Sequence, residues 1–133
     1  MVHRQSSQIH RYVYGGSLFS LKFDEAHSLI LLADKYNAKG LIRICRETLI
    51  VFLDPKQHLS IHWASPYVVK AAILGYQLND TSIKDAAIKC MVELEISLKE
   101  LQDWENLEKY PELMSEMFEN YSSAMIYKSY INS

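Results

Sequence analysis

The chain has 133 residues, a length that fits one domain or two small ones. Hydrophobic residues make up 49% and charged residues 23%, a balance that predicts a folded core and excludes intrinsic disorder. The net charge of −2 and the scattered basic residues argue against a nucleic-acid surface. No apolar run approaches the roughly 20 residues that cross a bilayer, and no signal peptide is evident. We therefore expect a cytoplasmic or nuclear protein that binds neither nucleic acid nor membrane.

Apolar residues recur mainly at steps of three and four along the chain, which is the period of an amphipathic helix. The low glycine and proline content, four and three residues, also favours helices over a turn-rich β fold. The pattern predicts an all-α fold, a bundle of six or seven short helices arranged as successive helical hairpins. The main predicted helices cover residues 23–36, 39–53, 65–76, 83–94 and 110–121.

Capping and turn residues mark the ends of these helices. Asn37 predicts a left-handed stop, and Asp54 followed by Pro55 ends the next helix because proline cannot donate the helical hydrogen bond. Ser65 followed by Pro66 has the pattern of an N-cap and a first helical residue, which makes residues 56–64 a connector. Further signals are the polar cluster at 79–82, the capping box at 97–100 and Pro111.

The polar residues form no convincing catalytic or metal-binding pattern. His58 and His62 have the spacing of two zinc ligands on a helix, but the glutamate of an HExxH motif is missing, so ordinary connector histidines fit better. Cys45 and Cys90 lie in apolar helical patterns without a neighbouring histidine, which predicts buried, reduced thiols. We therefore expect a non-enzyme with no catalytic residue, no metal and no cofactor.

Aromatic residues cluster around the predicted start of the third helix. His62, Trp63, Pro66 and Tyr67 lie within six residues of one another. Aromatic side chains are common both in cores and at the centres of protein interfaces. The cluster is therefore either core packing or a partner site.

A family resemblance begins at residues 31–41, LLADKYNAKGL, which resemble the LxxADKYxxxxL stretch of BTB/POZ domains. Upstream, residues 12–16, YVYGG, resemble the end of the helix that precedes this stretch in the family. Downstream, Cys45 within ICRE resembles the central cysteine of the helix that closes the domain. Residues 72–94 and then 101–121 resemble the helical extension of speckle-type BTB proteins, or a short BACK segment.

The resemblance implies a chain of two parts. Residues 1–54 would be the C-terminal helical half of a BTB-like domain, and residues 55–133 a BACK-like helical extension. The implied function is a non-catalytic adaptor or scaffold that binds protein partners, with a cullin as the expected partner in a ubiquitin ligase. The expected partner-binding residues are Tyr12, Tyr14, Trp63 and Tyr67.

The resemblance also leaves a second interpretation open. In the family, a sheet-bearing half precedes the point that aligns with residues 12–16, and an acidic residue with a hydrophobe stands where this chain has QIHR at residues 8–11. A helix that normally packs on that sheet would expose apolar surface here. The alternative is therefore a truncated BTB remnant that self-associates through the apolar face of residues 12–41, without a ligase role.

Overall fold

The computed structural model describes residues 21–57 and 61–131. These ranges contain helices and no strand, which confirms the prediction of an all-α fold of short helices. Three short 3-10 helices, Pro55–Gln57, Leu98–Glu100 and Trp104–Lys109, accompany the α-helices. The α-helices within the described residues are α1 (Phe23–Lys35), α2 (Lys39–Phe52), α3 (Ile61–Gln77), α4 (Thr81–Glu93) and α5 (Pro111–Ile131).

The chain divides into two compact units, residues 1–49 and residues 50–133. In the first unit, the buried side chains of α1 and α2 recur at three- and four-residue steps, as the sequence period predicts. The second unit contains α3, α4 and α5. The predicted division into a BTB-like half and a BACK-like extension stays a prediction. The buried residues of α1 and α2 are Phe23, Ala26, Leu29, Ile30, Ala33, Leu41, Cys45 and Leu49.

The end of α1 is formed by a left-handed residue, as predicted. Asn37 has a φ of 54°, a conformation that asparagine tolerates better than most residues. The N–H of Ala38 then donates to the carbonyl of Ala33 at 2.8 Å, which satisfies one of the last helical carbonyls. At the other end of α1, the Glu25 carboxylate accepts a hydrogen bond from the Lys22 N–H at 3.0 Å. The chain therefore leaves α1 and enters α2 through a tight turn.

The turn between α3 and α4 repeats this device. Asn79 has a φ of 56°, and the Asp80 N–H donates to the Gly75 carbonyl at 2.8 Å. The Asp80 carboxylate also accepts from the Ile83 N–H at 3.2 Å, so Asp80 caps the N-terminus of α4. A terminal carbonyl of α3 and an initial N–H of α4 thus both find hydrogen-bond partners in this turn, which confirms the capping prediction for residues 79–82.

Gly75 lies where α3 passes the first turns of α4. A Cβ at this position would lie 2.6 Å from the backbone nitrogen of Lys84 and 2.9 Å from the carbonyl oxygen of Asp80. Both neighbours are backbone atoms, which cannot move aside as a flexible side chain could. The hairpin of α3 and α4 therefore requires glycine at this crossing.

The predicted start of α3 is wrong. Helix α3 begins at Ile61, within the residues expected to form a connector, and Pro66 lies inside it. Ser65 does not cap this helix. Its buried hydroxyl accepts from the Gln102 N–H at 2.8 Å and donates to the Glu100 carbonyl at 3.4 Å. The local Ser-Pro pattern was misleading because the serine serves a contact with a segment 35 to 37 residues away.

The segment between α4 and α5 forms 3-10 helices, although the three-residue spacing of Leu98, Leu101 and Trp104 would also fit an α-helix. The capping box is present, with the Glu100 carboxylate accepting from the Ser97 N–H at 3.4 Å and from its hydroxyl at 2.7 Å. It opens a single 3-10 turn rather than an α-helix, and Trp104 belongs to a separate 3-10 helix that begins after Asp103. Asp103 has a φ of 64°, a left-handed conformation that prevents one continuous helix here.

Replacing Gly75 with alanine should lower the free energy of unfolding by about 1–3 kcal/mol, because the added methyl group would push the backbones of α3 and α4 apart. Urea unfolding followed by circular dichroism measures the change. The matched control is Gly40→Ala, since a Cβ at Gly40 meets no heavy atom within 4 Å. That variant should be as stable as the original or up to about 1 kcal/mol more stable. Equal effects of the two substitutions would contradict the close crossing.

Replacing Ser65 with alanine should cost about 1–3 kcal/mol, because the Gln102 N–H and the Glu100 carbonyl would lose their buried partner. Ser28→Ala is the control, since Ser28 is an exposed serine within α1. Native-state hydrogen exchange adds a local measurement. The Gln102 amide should exchange faster in Ser65→Ala, and an unchanged rate would refute the bridging role of the hydroxyl.

Candidate protein interaction surface

An open groove lies between the C-terminal end of α3 and the N-terminal ends of α4 and α5. Its volume is about 580 Å³, within the range of small-molecule sites. The groove is lined largely by polar side chains, so its capacity for chemistry depends on whether those groups are already paired. The lining residues are Gly75, Tyr76, Gln77, Asn79, Thr81, Lys84, Glu112, Leu113 and Glu116.

Tyrosines at the groove join α3 to the start of α5. The Tyr76 hydroxyl donates to the Glu112 carboxylate at 3.3 Å, and the Gln77 amide donates to the Tyr110 hydroxyl at 2.9 Å. The two tyrosine rings meet edge to face with centroids 5.7 Å apart. The negative charge of Glu112, then desolvation and the hydrogen bond, raise the pKa of Tyr76. The shift favours the protonated phenol, the form that donates the hydrogen bond to Glu112.

An ion pair joins α4 to α5 at the same groove. Lys84 Nζ lies 3.0 Å from Glu116 Oε1, and both side chains are partly buried. Because partly buried pairs are screened less by water and salt, this contact fixes α5 against α4 more firmly than a surface pair would. Tyr76, Gln77, Lys84, Glu112 and Glu116 are thus all engaged in bonds between helices, and the arrangement fits a structural joint better than a ligand site.

The two thiols are buried, as predicted, and unreactive. Burial raises the pKa of Cys45 to about 11. Burial, together with the charges of Glu93 and Asp54, raises the pKa of Cys90 to about 12. A nucleophilic cysteine needs the opposite shift, toward the thiolate at neutral pH. Neither thiol is therefore an activated nucleophile.

Within residues 21–57 and 61–131, no three histidine, cysteine or acidic side chains are grouped closely enough to hold a metal ion. In the same part of the chain, no helix is long and apolar enough to span a membrane.

The four residues predicted to bind partners have different outcomes. Tyr12 and Tyr14 lie outside the described residues. Trp63 lies in the first turn of α3, and its side chain is outside the described part of the structure. Tyr67 is half-buried, and its ring meets the Phe52 ring edge to face with centroids 5.7 Å apart. The structure therefore pairs Tyr67 with Phe52, and that contact is one that core packing alone would explain.

The structure reveals an exposed apolar surface that the sequence reasoning missed. Helix α5 continues to Ile131, ten residues beyond the predicted helix, and its last two turns carry four exposed apolar or aromatic side chains. Their exposed fractions lie between 59% and 82%. We call this set the α5 stripe: Ile126, Tyr127, Tyr130 and Ile131.

The stripe faces outward because the other side of α5 is held by the rest of the second unit. Leu113 and Met117 are buried in the first half of the helix. In the second half, Lys128 Nζ lies 3.0 Å from the carboxylate of Glu95, which follows α4. At 3.6 residues per turn, Met117 and Lys128 share one side of the helix, and Ile126 and Tyr130 lie on the opposite side. Ile131, at the end of the helix, lies in line with Leu113 and is exposed because it extends past the buried part. Spacings of one, four and five residues from Ile126 could have revealed the stripe, had the helix been extended past residue 121.

The chain was compared with family models, with curated proteins and with solved structures, and nothing matches in any of the three comparisons.

The buried thiols predict a loss of stability at alkaline pH. Their folded pKa values lie above the unfolded value of 9.0, so the folded state disfavours the thiolate. The contribution of the two protonated thiols to the free energy of unfolding is fully present below about pH 9. It is lost as the pH rises toward 11 and 12. Urea unfolding at a series of pH values should show a smaller decline for the Cys45→Ala/Cys90→Ala double variant. An identical decline in both proteins would assign it to tyrosine and lysine instead.

Proposed function

We propose that the chain is a non-catalytic protein–protein interaction module, a BTB-like adaptor that joins a cullin-type ubiquitin ligase to a second protein. The observation that carries this proposal is the α5 stripe. Four large apolar or aromatic side chains, each more than half exposed, lie together at the end of one helix. Contiguous exposed apolar surface of this kind marks interaction sites, whereas single exposed apolar residues need no explanation.

The composition of the stripe favours a protein as the partner. Two of its four side chains are tyrosines, Tyr127 and Tyr130, and tyrosine is enriched in protein interfaces. A tyrosine ring offers a large apolar surface that is ordered at little entropic cost, and its hydroxyl can still bond to water or to the partner. Full coverage of the stripe would bury about 500 Å² on this chain, which is somewhat less than one side of a standard interface.

The cullin part of the proposal is supported by the BTB-like resemblance of residues 12–16 and 31–41. The residues proposed to contact the cullin are Tyr12, Tyr14, Trp63 and Tyr67. An adaptor needs a second surface, and the α5 stripe shares no residue with this set. The proposal therefore assigns the scaffold and the recruited protein to separate parts of the chain.

Binding of the full chain to cullin N-terminal domains tests the ligase role, for example by biolayer interferometry. We expect binding that weakens at least about tenfold in Tyr12→Ala/Tyr14→Ala, because aromatic anchors dominate such interfaces. The matched control is Tyr127→Ser/Tyr130→Ser, which removes two tyrosines from the other surface and should leave cullin affinity unchanged. Absence of binding to every cullin tested, by a chain that unfolds cooperatively, would overturn the ligase role.

The competing function is self-association without a ligase role. Its specific support in the described residues is the exposure of Leu31 on α1 and of Tyr36 directly after it, at 42% and 48%. Light scattering of the full chain distinguishes the two proposals. Oligomers that the Leu31→Ser/Tyr36→Ser substitutions convert to monomers, together with no cullin binding, would favour self-association. A monomer would exclude it.

A further inference from the structure

The outward face of α5 has two chemically different halves. Glu112, Glu119 and Ile126 are spaced seven residues apart and therefore lie along one line of the helix, about 10 Å from each to the next. The two glutamates are exposed in the first half. Ile126 begins the α5 stripe in the second half. One continuous face thus changes from acidic to apolar along its length.

Basic charge is scarce along this helix. Lys128 is the single basic residue among the 21 residues of α5, and it is paired with Glu95 on the side away from Ile126 and Tyr130. Glu116, the third acid of the helix, is already paired with Lys84. The exposed charge of the outward face is therefore negative. It lies at Glu119 and at Glu112, which also accepts the hydrogen bond from Tyr76.

We propose that this face docks an amphipathic helix of a partner protein, with lysine or arginine over Glu112 and Glu119 and large apolar side chains over the α5 stripe. The inference rests on the proposed interaction function and names the chemistry of the second partner. A partner helix fits because two packed helices repeat their contacts every seven residues, the spacing of Glu112, Glu119 and Ile126. Basic residues supply charge complementarity, and the apolar half supplies the buried area.

A second copy of the chain fits this face less well than such a helix does. If two α5 helices pack in parallel over their full length, Glu119 faces Glu119, and like charges repel. If they pack antiparallel over their full length, the glutamates of one copy face the stripe of the other, where a carboxylate would lose its water. A helix with basic residues in one half and apolar residues in the other satisfies both halves at once.

The test uses two synthetic helical peptides of the same length as α5, 21 residues. Both carry leucine at the heptad contact positions of one half. The first carries lysine at the contact positions of the other half, and the second carries glutamate there. Fluorescence anisotropy with the full chain should show at least about tenfold tighter binding of the lysine peptide, and this preference should shrink as salt rises.

Variants of the full chain assign the binding to the two halves of the face. Glu119→Lys should weaken binding of the lysine peptide and strengthen that of the glutamate peptide, a reversal that a simple loss of folding cannot produce. Tyr127→Ser/Tyr130→Ser should weaken both peptides at least about tenfold. The matched controls are Glu47→Lys, an exposed acid on α2, and Val51→Ser, an exposed apolar residue on the same helix. Neither control should change binding.

Several results would overturn the inference. They are equal binding of the two peptides, no binding of either, or binding unaffected by Glu119→Lys. A stable dimer that Tyr127→Ser/Tyr130→Ser dissolves would overturn it too, because a second copy would then occupy the stripe. Loss of peptide binding with cullin binding intact refutes this inference alone. Peptide binding without cullin binding leaves the docking face standing and refutes the ligase role.

Discussion

The contact between Gly75 and the first turns of α4 sets the geometry on which the second unit depends. Because no side chain separates the two backbones, α3 and α4 cross closely enough for Lys84 to lie beside the end of α3. The Lys84 ammonium then pairs with Glu116, which positions the first half of α5. The close crossing at Gly75 therefore contributes to the placement of α5, together with the buried side chains of Leu113 and Met117. A wider crossing would move the ion pair, and the α5 stripe would move with it.

At the other end of the second unit, the buried hydroxyl of Ser65 joins two segments that are distant in sequence. Ser65 bonds to both Glu100 and Gln102, so the start of α3 is joined to the irregular segment that leads from α4 to α5. That segment consists of short 3-10 turns, which have few internal hydrogen bonds and little stability of their own. The Ser65 hydroxyl, which is held in place by α3, supplies two hydrogen bonds to the backbone of this segment. The end of α3 is thus held to α4 by close backbone packing at Gly75. The start of α3 is held to the segment before α5 by the hydrogen bonds of Ser65.

Local signals in the sequence predicted the local features well. Asn37, Asp80 and Pro111 lie where their chemistry places them, since capping and left-handed turns depend on a few neighbouring residues. The prediction failed at Ser65, because its hydroxyl serves a distant segment that no local pattern reveals. For the candidate site, the exposed stripe was missed because the predicted last helix ended at residue 121, whereas α5 continues to Ile131. Exposure is a property of the folded chain, and the sequence period alone does not give it.

In the connection after α4, Glu95 both forms the backbone turn and pairs with Lys128. Glu95 has a φ of 56°, a left-handed conformation that costs a non-glycine residue about 1–2 kcal/mol. The backbone turn is nevertheless fixed, since the Ile96 N–H donates to the Met91 carbonyl at 2.9 Å and Ile96 is fully buried. Glycine would relax this turn, but it would remove the carboxylate that pairs with Lys128. Residue 95 therefore combines a left-handed backbone turn with an exposed ion pair to the last turn of α5.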